Sequence, residues 1–221
     1  MSTIMDLIFR EKLVIIARGI PSEKLVMAAQ AMCGAGIVLL ESTFDHSLQD
    51  PIADNTAKLR ALIKAMGGKM AIGAGTVLTV KEVQAAHDAG CGYIISPSTN
   101  PEVVAETKRL SMLSIPGAMT PTEVARAWDL GADMVKLFPA DDLGVHYIRN
   151  IRAPLPHVPL MATGGVNPAT IPEFLQAGVN ALGTGITVLR RDLVEAEDYA
   201  GIAALARAHV EAVRGAEGKK A

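Results

Sequence analysis

Short apolar runs recur along the chain, and each is continuous rather than alternating between apolar and polar positions. Eight of them lie at residues 13–18, 37–41, 70–74, 93–96, 112–116, 134–139, 158–163 and 179–183. A strand that is covered on both faces has this pattern, whereas a strand with one face in water alternates. The pattern therefore predicts eight buried strands of a parallel sheet.

Each predicted strand is followed by residues that typically begin a helix. Thr79 and Glu82 have the spacing of a capping box, and prolines stand near a predicted first helical turn at Pro121 and Pro168. Four strands are also preceded by glycines of the kind that end a helix, in Gly34-Ala35-Gly36, Ala89-Gly90, Leu130-Gly131 and Ala177-Gly178. This alternation predicts an α/β fold, a closed (β/α)8 TIM barrel, with an extra N-terminal helix over residues 3–11.

An open, doubly wound sheet is the structural alternative. It usually has fewer strands and carries a glycine-rich nucleotide-binding turn after the first strand, and residues 17–21 (Ala-Arg-Gly-Ile-Pro) do not form such a turn. The length of 221 residues also suits one barrel. We therefore predict a single barrel domain over residues 1–214 and a disordered tail at 215–221.

Composition and charge narrow the class of partner. Half of the residues are apolar and only 4% are aromatic, so the core must be aliphatic. The net charge of −2 gives no support for nucleic acid or an anionic membrane surface as a partner. No apolar run reaches the roughly 18–20 residues of a membrane span. A charge already at Asp6, and two isolated cysteines, Cys33 and Cys91, lead us to expect a cytoplasmic protein without a signal peptide.

The sequence predicts no metal and no other cofactor. The five histidines show no ligand spacing, and His87 and His209 fall on predicted amphipathic helices, where we expect them to face solvent. Asp141 and Asp142 follow the sixth strand and could bind a metal, but a solvated loop is the favoured interpretation.

Lys136 is the residue with the most informative surroundings. It lies within the apolar run Met-Val-Lys-Leu-Phe-Pro at 134–139, which is predicted to be a buried strand. An isolated buried ammonium is costly, so such a lysine tends to lower its pKa. The neutral amine is then a nucleophile for a carbonyl carbon. On its own, the residue could also be a snorkelling or ion-paired lysine.

In a barrel of this kind, reactive residues cluster at the carboxyl ends of the strands. The polar groups and turns expected there include the lysine, one carboxylate, one guanidinium and two glycine-rich turns. The candidate site residues are Arg18, Glu41, Thr76, Pro97, Lys136, Phe138, Thr163, Gly164 and Gly165.

Several of these residues have a structural alternative. Glu41 and Lys136 could form an inert buried ion pair, although such pairs contribute little stability. Arg18 could neutralise Glu41 or orient a substrate anion. Gly164 and Gly165 could only shape a turn, but backbone N–H groups ahead of a helix also suit an anion.

At these residues the chain resembles the class I aldolases that cleave 2-keto-3-deoxy-6-phosphogluconate (KDPG), a family that includes 4-hydroxy-2-oxoglutarate (KHG) and 6-phosphogalactonate aldolases. The resemblance covers residues 5–214. Its six motifs are Leu40-Glu41-Ser42-Thr43-Phe44, Ile72-Gly73-Ala74-Gly75-Thr76-Val77, Ile95-Ser96-Pro97, Pro116-Gly117 with Met119-Thr120-Pro121-Thr122-Glu123, Val135-Lys136-Leu137-Phe138-Pro139-Ala140 and Thr163-Gly164-Gly165-Val166. Six motifs in the right order form a specific signal.

The resemblance implies a (β/α)8 barrel that assembles as a homotrimer and needs no metal. It also implies that Lys136 is the Schiff-base lysine and Glu41 the general acid/base. By the same resemblance Arg18 and Thr76 line the pyruvate end of the site and Phe138 packs beside the lysine. The remaining substrate-binding positions are Pro97, Thr163 and the phosphate-binding turn of Gly164 and Gly165.

Two positions depart from the family pattern. Many members carry an arginine four residues after the glutamate, where this chain has Asp45. The turn after the eighth strand often carries a serine for the phosphate, where this chain has Ile186 followed by Thr187. A non-phosphorylated 2-keto-3-deoxy acid, or 4-hydroxy-2-oxoglutarate, therefore remains open as the substrate.

The expected activity is that of a carbon–carbon lyase, an aldehyde-lyase that releases pyruvate from a 2-keto-3-deoxy acid. One rival is an epimerase or isomerase of sugar phosphates on the same barrel, which would use carboxylate or metal chemistry without Lys136. Another is a non-catalytic binding protein for a keto acid or a sugar phosphate. Fold alone does not choose among them, because function belongs to the site.

Overall fold

In the computed structural model, which describes residues 3–218, all the strands belong to one parallel sheet that curls into a barrel. Nine strands are present in these residues: β1 (Leu13–Ala17), β2 (Leu39–Thr43), β3 (Ala71–Gly75), β4 (Tyr93–Ile95), β5 (Leu113–Ile115), β6 (Gly117–Ala118), β7 (Val135–Leu137), β8 (Leu160–Thr163) and β9 (Ala181–Thr184). Their order is β5-β4-β3-β2-β1-β9-β8-β7-β6.

The barrel closes through the fifth predicted strand, which is interrupted at Pro116. β5 pairs with β4, and β6 pairs with β7. Ser96 N–H donates to the carbonyl of Ile115 (3.2 Å) on one side, and Lys136 N–H donates to that of Pro116 (2.9 Å) on the other. Proline has no N–H, so the ladder breaks there while the chain continues across. The predicted (β/α)8 barrel is confirmed, with its fifth strand split into two segments.

Helices alternate with the strands, as the helix-start signals predicted. The ten helices within residues 3–218 are α1 (Ile4–Glu11), α2 (Ser22–Gly34), α3 (Pro51–Met66), α4 (Val80–Ala89), α5 (Pro101–Arg109), α6 (Pro121–Asp129), α7 (Ala140–Arg152), α8 (Ile171–Gln176), α9 (Arg191–Glu195) and α10 (Tyr199–Glu217). The predicted capping box at Thr79 and Glu82 is present at the start of α4, and Gly90 ends that helix with a left-handed φ of 98°.

The predicted N-terminal helix is confirmed as α1, which seals the amino end of the barrel. Thr3 caps it through a hydrogen bond from Asp6 N–H. Ile8 is completely buried and packs into an inner cluster with Val14, Leu39 and Tyr93. Side chains therefore fill the barrel interior at the end covered by α1.

Two predicted boundaries were wrong. α8 begins at Ile171 rather than near Pro168, because the side chain of Asn167 accepts hydrogen bonds from Ala169 and Thr170 N–H and holds a turn there. The tail predicted from residue 215 is helical as far as Glu217, since Ala216 is buried against the barrel. Residues 219–221 lie outside the described residues, and the single-domain interpretation stays a prediction.

None of the described helices combines the length and apolar character that crossing a membrane requires.

Gly73→Ala is expected to destabilise the protein. A Cβ at residue 73 would lie inside van der Waals distance of the Tyr93 ring, which is fully buried and has no room to move. We expect a loss of about 3 kcal/mol in the free energy of unfolding, measured by urea denaturation. The control is Gly34→Ala at the end of α2, where a Cβ meets nothing within 4 Å. An unchanged unfolding midpoint for Gly73→Ala would contradict this packing.

Candidate active site

A cavity of about 650 Å³ opens at the carboxyl ends of the strands. Eight of the nine predicted site residues line it: Arg18, Thr76, Pro97, Lys136, Phe138, Thr163, Gly164 and Gly165. The ninth, Glu41, does not line the cavity and is buried in the barrel wall. The structure thus brings together residues from strands or turns that lie up to about 150 positions apart in sequence, as expected for the mouth of a parallel barrel.

Lys136 lies in the middle of β7 and is only 6% exposed. Burial lowers the pKa of its amine; the nearby Arg18 lowers it further, whereas Glu41 opposes the shift. Its Nζ lies 4.8 Å from the centre of the Phe138 ring. Phe138 follows the strand at the cavity rim and is itself partly exposed. The amine therefore has an apolar wall on one side and reaches the cavity on the other.

Glu41 lies on β2 and is 1% exposed. Burial raises the pKa of its carboxyl from 4.5 to about 7, against the opposing effect of Lys136 and Arg18. Gly75 leaves room for this side chain, since a Cβ there would lie 2.6 Å from the Glu41 Cδ. The Oε2 atom is buried and accepts no hydrogen bond from residues 3–218. Such an orphaned atom is costly unless a ligand or water reaches it.

Lys136 and Glu41 do not form a direct ion pair. No contact within 4.0 Å joins the Lys136 amine to a Glu41 oxygen among the ion pairs of the described residues. The two groups influence each other only at longer range. The alternative of an inert buried salt bridge is therefore wrong.

Arg18 and Thr76 meet at one edge of the cavity. Arg18 Nη2 donates a hydrogen bond to Thr76 Oγ1 at 3.3 Å, and Thr76 has a left-handed φ of 56° that is uncommon for threonine. Asp45, which stands where many family members have arginine, accepts hydrogen bonds from Ser47 N–H and Oγ within its own loop. Arg18 is consequently the cation available to a substrate carboxylate at this edge.

The opposite end of the cavity is built from two turns, one after β8 and one after β9. The backbone N–H groups of Gly165, Val166, Ile186 and Thr187 donate to no acceptor within the described residues. Further in, on β8 itself, Thr163 Oγ1 is buried without a hydrogen-bond partner in the described residues. Free donors of this kind suit oxygen atoms of a ligand, and anionic oxygens most strongly.

The sequence missed the position of Asp141. It belongs to the first turn of α7, not to a solvated loop, and its carboxylate covers the glycine turn: a Cβ on Gly164 would lie 2.5 Å from Asp141 Oδ1. Within residues 3–218, no group of three or more His, Cys, Asp or Glu side chains is placed to hold a metal ion. Asp141 therefore adds a hydrogen-bond acceptor and a negative charge to this end of the cavity.

His209 was predicted to face solvent, and this was wrong. It is 1% exposed on α10, where its ring contacts Leu205 O and Thr187 Oγ1. Helical periodicity located it on an amphipathic helix but did not identify its polar partner, because that partner is more than twenty residues away. Ile186, by contrast, is 85% exposed at the cavity rim.

Comparison with known proteins agrees with this geometry. The sequence model of the family described as KDPG and KHG aldolase matches residues 5–205. The chain belongs to the KDPG and KHG aldolase family. It is therefore a member of an aldolase family of carbon–carbon lyases.

Individual members of the KDPG and KHG aldolase family are similar over most of their length. The 2-dehydro-3-deoxy-6-phosphogalactonate aldolase of Escherichia coli K12 is 32% identical over 91% of this chain and 96% of that protein. The KHG/KDPG aldolase of the same organism is 34% identical over 88% of this chain and 87% of that protein. A solved structure described as native KDPGal superposes with a TM-score of 0.84 at 30% identity, covering 93% and 96% of the two chains.

Glu41→Gln is expected to stabilise the protein more at high pH than at low pH. The folded carboxyl has a pKa of about 7 and the unfolded one about 4.5, so the folded state retains a proton that the unfolded state releases. Stability of the wild type therefore falls as pH rises through this range, and the glutamine variant lacks that fall. The difference in the free energy of unfolding between Glu41→Gln and the wild type should shift in favour of the variant by roughly 2 kcal/mol between pH 5 and pH 8.

Urea denaturation at the two pH values measures this difference. The matched control is Glu211→Gln, at an exposed position of α10, for which no comparable pH-dependent difference is expected. If the difference in the free energy of unfolding between Glu41→Gln and the wild type did not change with pH, the raised pKa of Glu41 would be wrong.

Proposed function

We propose that this chain cleaves a 2-keto-3-deoxy sugar acid into pyruvate and an aldehyde, with Lys136 as the Schiff-base residue and Glu41 as the proton-transfer group. The observation that supports this most directly is the environment of the two side chains. A buried amine with a lowered pKa stands near a buried carboxyl with a pKa of about 7, and no ion pair ties them together. Perturbed groups of this kind cluster at functional sites.

The chemistry follows from those two groups. The Lys136 amine attacks the C2 ketone, and loss of water from the carbinolamine gives an iminium ion. Removal of the proton from the C4 hydroxyl breaks the C3–C4 bond, so the aldehyde leaves and the bonding electrons pass into the iminium as an enamine. Protonation at C3 and hydrolysis then release pyruvate and the free amine. A carboxyl with a pKa near 7 can both accept and return protons at neutral pH, which suits Glu41 to these steps.

The pyruvate end of the substrate suits the inner part of the cavity. Arg18 supplies a cation for the carboxylate, and Thr76, which it contacts, adds a hydroxyl. Thr163 Oγ1 provides a further polar atom, which has no hydrogen-bond partner within residues 3–218. Pro97 and Phe138 supply apolar lining, and the Phe138 ring lies beside the Lys136 amine.

For the distal end we infer a phosphorylated group as the first candidate. The free N–H groups of Gly165, Val166, Ile186 and Thr187 support it, as does the similarity to an aldolase of 2-dehydro-3-deoxy-6-phosphogalactonate. Two observations favour a second candidate, an acid without phosphate. Ile186 presents no hydroxyl at the rim, and the Asp141 carboxylate beside the glycine turn repels an anion.

The rival functions make different demands on the site. An epimerase or isomerase would lose its activity with a chelator or would tolerate loss of Lys136. A binding protein would retain keto acid without releasing pyruvate. Assembly as a homotrimer and a cytoplasmic location remain predictions from the resemblance and the sequence.

Lys136→Met is expected to abolish turnover, because no other amine is buried at the cavity floor among the lining residues. In the wild type, borohydride added with pyruvate should reduce the imine and leave a stable pyruvate adduct on Lys136, detected by peptide mass mapping. The exposed Lys81→Met variant is the control and should label and turn over normally. An adduct on a different lysine, or unimpaired pyruvate release from Lys136→Met, would refute the assignment.

Ile186→Ser should tell the two distal candidates apart. A hydroxyl at the rim adds one hydrogen bond to a phosphate, so KM for a phosphorylated 2-keto-3-deoxy acid should fall several-fold while KM for the unphosphorylated acid stays the same. Pyruvate release coupled to lactate dehydrogenase measures both. If the wild type prefers the unphosphorylated acid and the variant changes neither KM, the phosphorylated substrate is wrong.

A further inference from the structure

His209 has both ring nitrogens engaged although it is not among the residues that line the cavity. Nδ1 lies 2.8 Å from the carbonyl oxygen of Leu205, one turn earlier on α10. A carbonyl oxygen only accepts, so Nδ1 carries the proton of this hydrogen bond. Nε2 lies 3.0 Å from Thr187 Oγ1. In the neutral ring Nε2 has only a lone pair, and therefore accepts the hydrogen bond of the Thr187 hydroxyl.

The Thr187 hydroxyl lies between this histidine and the two turns at the outer end of the cavity. Thr184, the last residue of β9, has one hydroxyl hydrogen, which it donates either to Thr187 Oγ1 at 2.7 Å or to the carbonyl oxygen of Val166 at 2.9 Å. The single Thr187 hydrogen is engaged by His209, so Thr187 Oγ1 contacts the Val166 oxygen at 3.1 Å without donating to it. Thr187 belongs to the turn after β9 and Val166 to the turn after β8. The two hydroxyls therefore lie between the two turns, and His209 fixes Thr187 to α10.

α10 is a firm support for such a link. Ala206, Val210 and Val213 on the same helix are buried, so the helix is held against the barrel independently of the histidine. Ile186 and Thr187 on one turn and Gly165 and Val166 on the other line the cavity, and their N–H groups donate to no acceptor in the described residues. A ligand that uses both turns needs the spacing of the turns to be set in advance.

We propose that His209 is a positioning residue for the distal half of the substrate: it holds the turns after β8 and β9 in register through Thr187 without contacting the substrate. This inference rests on the proposed aldolase function. It assigns His209 no part in the chemistry at C2 and C3, because His209 lies on α10 outside the cavity lining, whereas Lys136 and Glu41 are supplied by β7 and β2. Burial, which lowers the pKa of His209, keeps the ring in the neutral form that accepts from Thr187.

Two assays distinguish an effect on the inner half of the cavity from an effect on the outer half. Exchange of the pyruvate methyl protons with deuterated water requires only imine and enamine formation at Lys136. Cleavage of the complete keto acid also requires the outer turns. A residue that positions the turns alters KM for cleavage and leaves the exchange rate alone, whereas a residue that only supports the fold alters both.

His209→Phe removes the acceptor and preserves a ring of similar size. We expect KM for the cleaved keto acid to rise about tenfold, with kcat and the pyruvate exchange rate within about twofold of the wild type. A tenfold change corresponds to the loss of one hydrogen bond of ordinary strength. His209→Gln retains an acceptor at the position of Nε2 and should recover most of the loss. His87→Phe, on the partly exposed face of α4, is the matched control and should change nothing.

Thr187→Val tests whether the histidine acts through this hydroxyl. It should raise KM by a similar factor, and the double variant His209→Phe with Thr187→Val should be no worse than either single change, because both remove the same link. Thermal denaturation shows whether His209→Phe is folded. If it is not, the KM values of Thr187→Val and His209→Gln test the proposal instead.

An unchanged KM in His209→Phe, additive effects in the double variant, or parallel losses of exchange and cleavage would each overturn the proposal. A wild type with neither exchange nor cleavage would instead refute the aldolase function itself, and this inference with it. If the wild type is active but substitution of His209 does not alter KM, this inference alone is refuted.

Discussion

The site depends on the removal of two ionisable side chains, Lys136 and Glu41, from water without pairing them. Burial pushes the amine and the carboxyl towards their neutral forms, and a direct ion pair would reverse both shifts. Arg18 adds a further constraint: its charge lowers the pKa of both groups, so it favours the free amine while it limits how far the carboxyl is raised. The arrangement costs stability, as the unpartnered Glu41 Oε2 shows. It is therefore better explained by chemistry at the barrel mouth than by stabilisation of the fold.

The space for these groups comes from missing side chains in the barrel wall. Gly75 makes room for the Glu41 carboxyl, and Gly183 makes room for Thr163, whose Oγ1 would lie 2.5 Å from a Cβ there. Below them Tyr93 and Ile8 fill the barrel completely. Small residues near the mouth and large residues beneath thus set the depth of the cavity. Above this packing, Glu41 Oε2 and Thr163 Oγ1 are buried without a hydrogen-bond partner among the residues that the structure describes.

The sequence was informative where one local pattern determines the structure. Continuous apolar runs located the strands, and the convergence of parallel strands at their carboxyl ends located Lys136, Glu41 and Arg18 near one another. It was less informative where contacts between distant segments determine the local structure. The split of the fifth strand at Pro116 shows in its pairing with β4 on one side and β7 on the other, and buried His209 has its polar partner, Thr187, in a distant turn. α8 begins later than predicted because the Asn167 side chain accepts hydrogen bonds from the N–H groups of Ala169 and Thr170, which the first turn of a helix would leave free.

The two ends of the cavity are built by different means, and this difference has a consequence for specificity. The inner end uses side chains on β2 and β7, both of which pair with neighbouring strands of the barrel. The outer end uses backbone donors on two turns, whose spacing rests on a few hydroxyl and imidazole contacts. Ile186 lies on one of these turns, whereas the amine of Lys136 is supplied by β7. The chemistry at C2 and the choice of aldehyde are therefore separable, since no side chain is shared between the strand positions that supply the first and the turn contacts that govern the second.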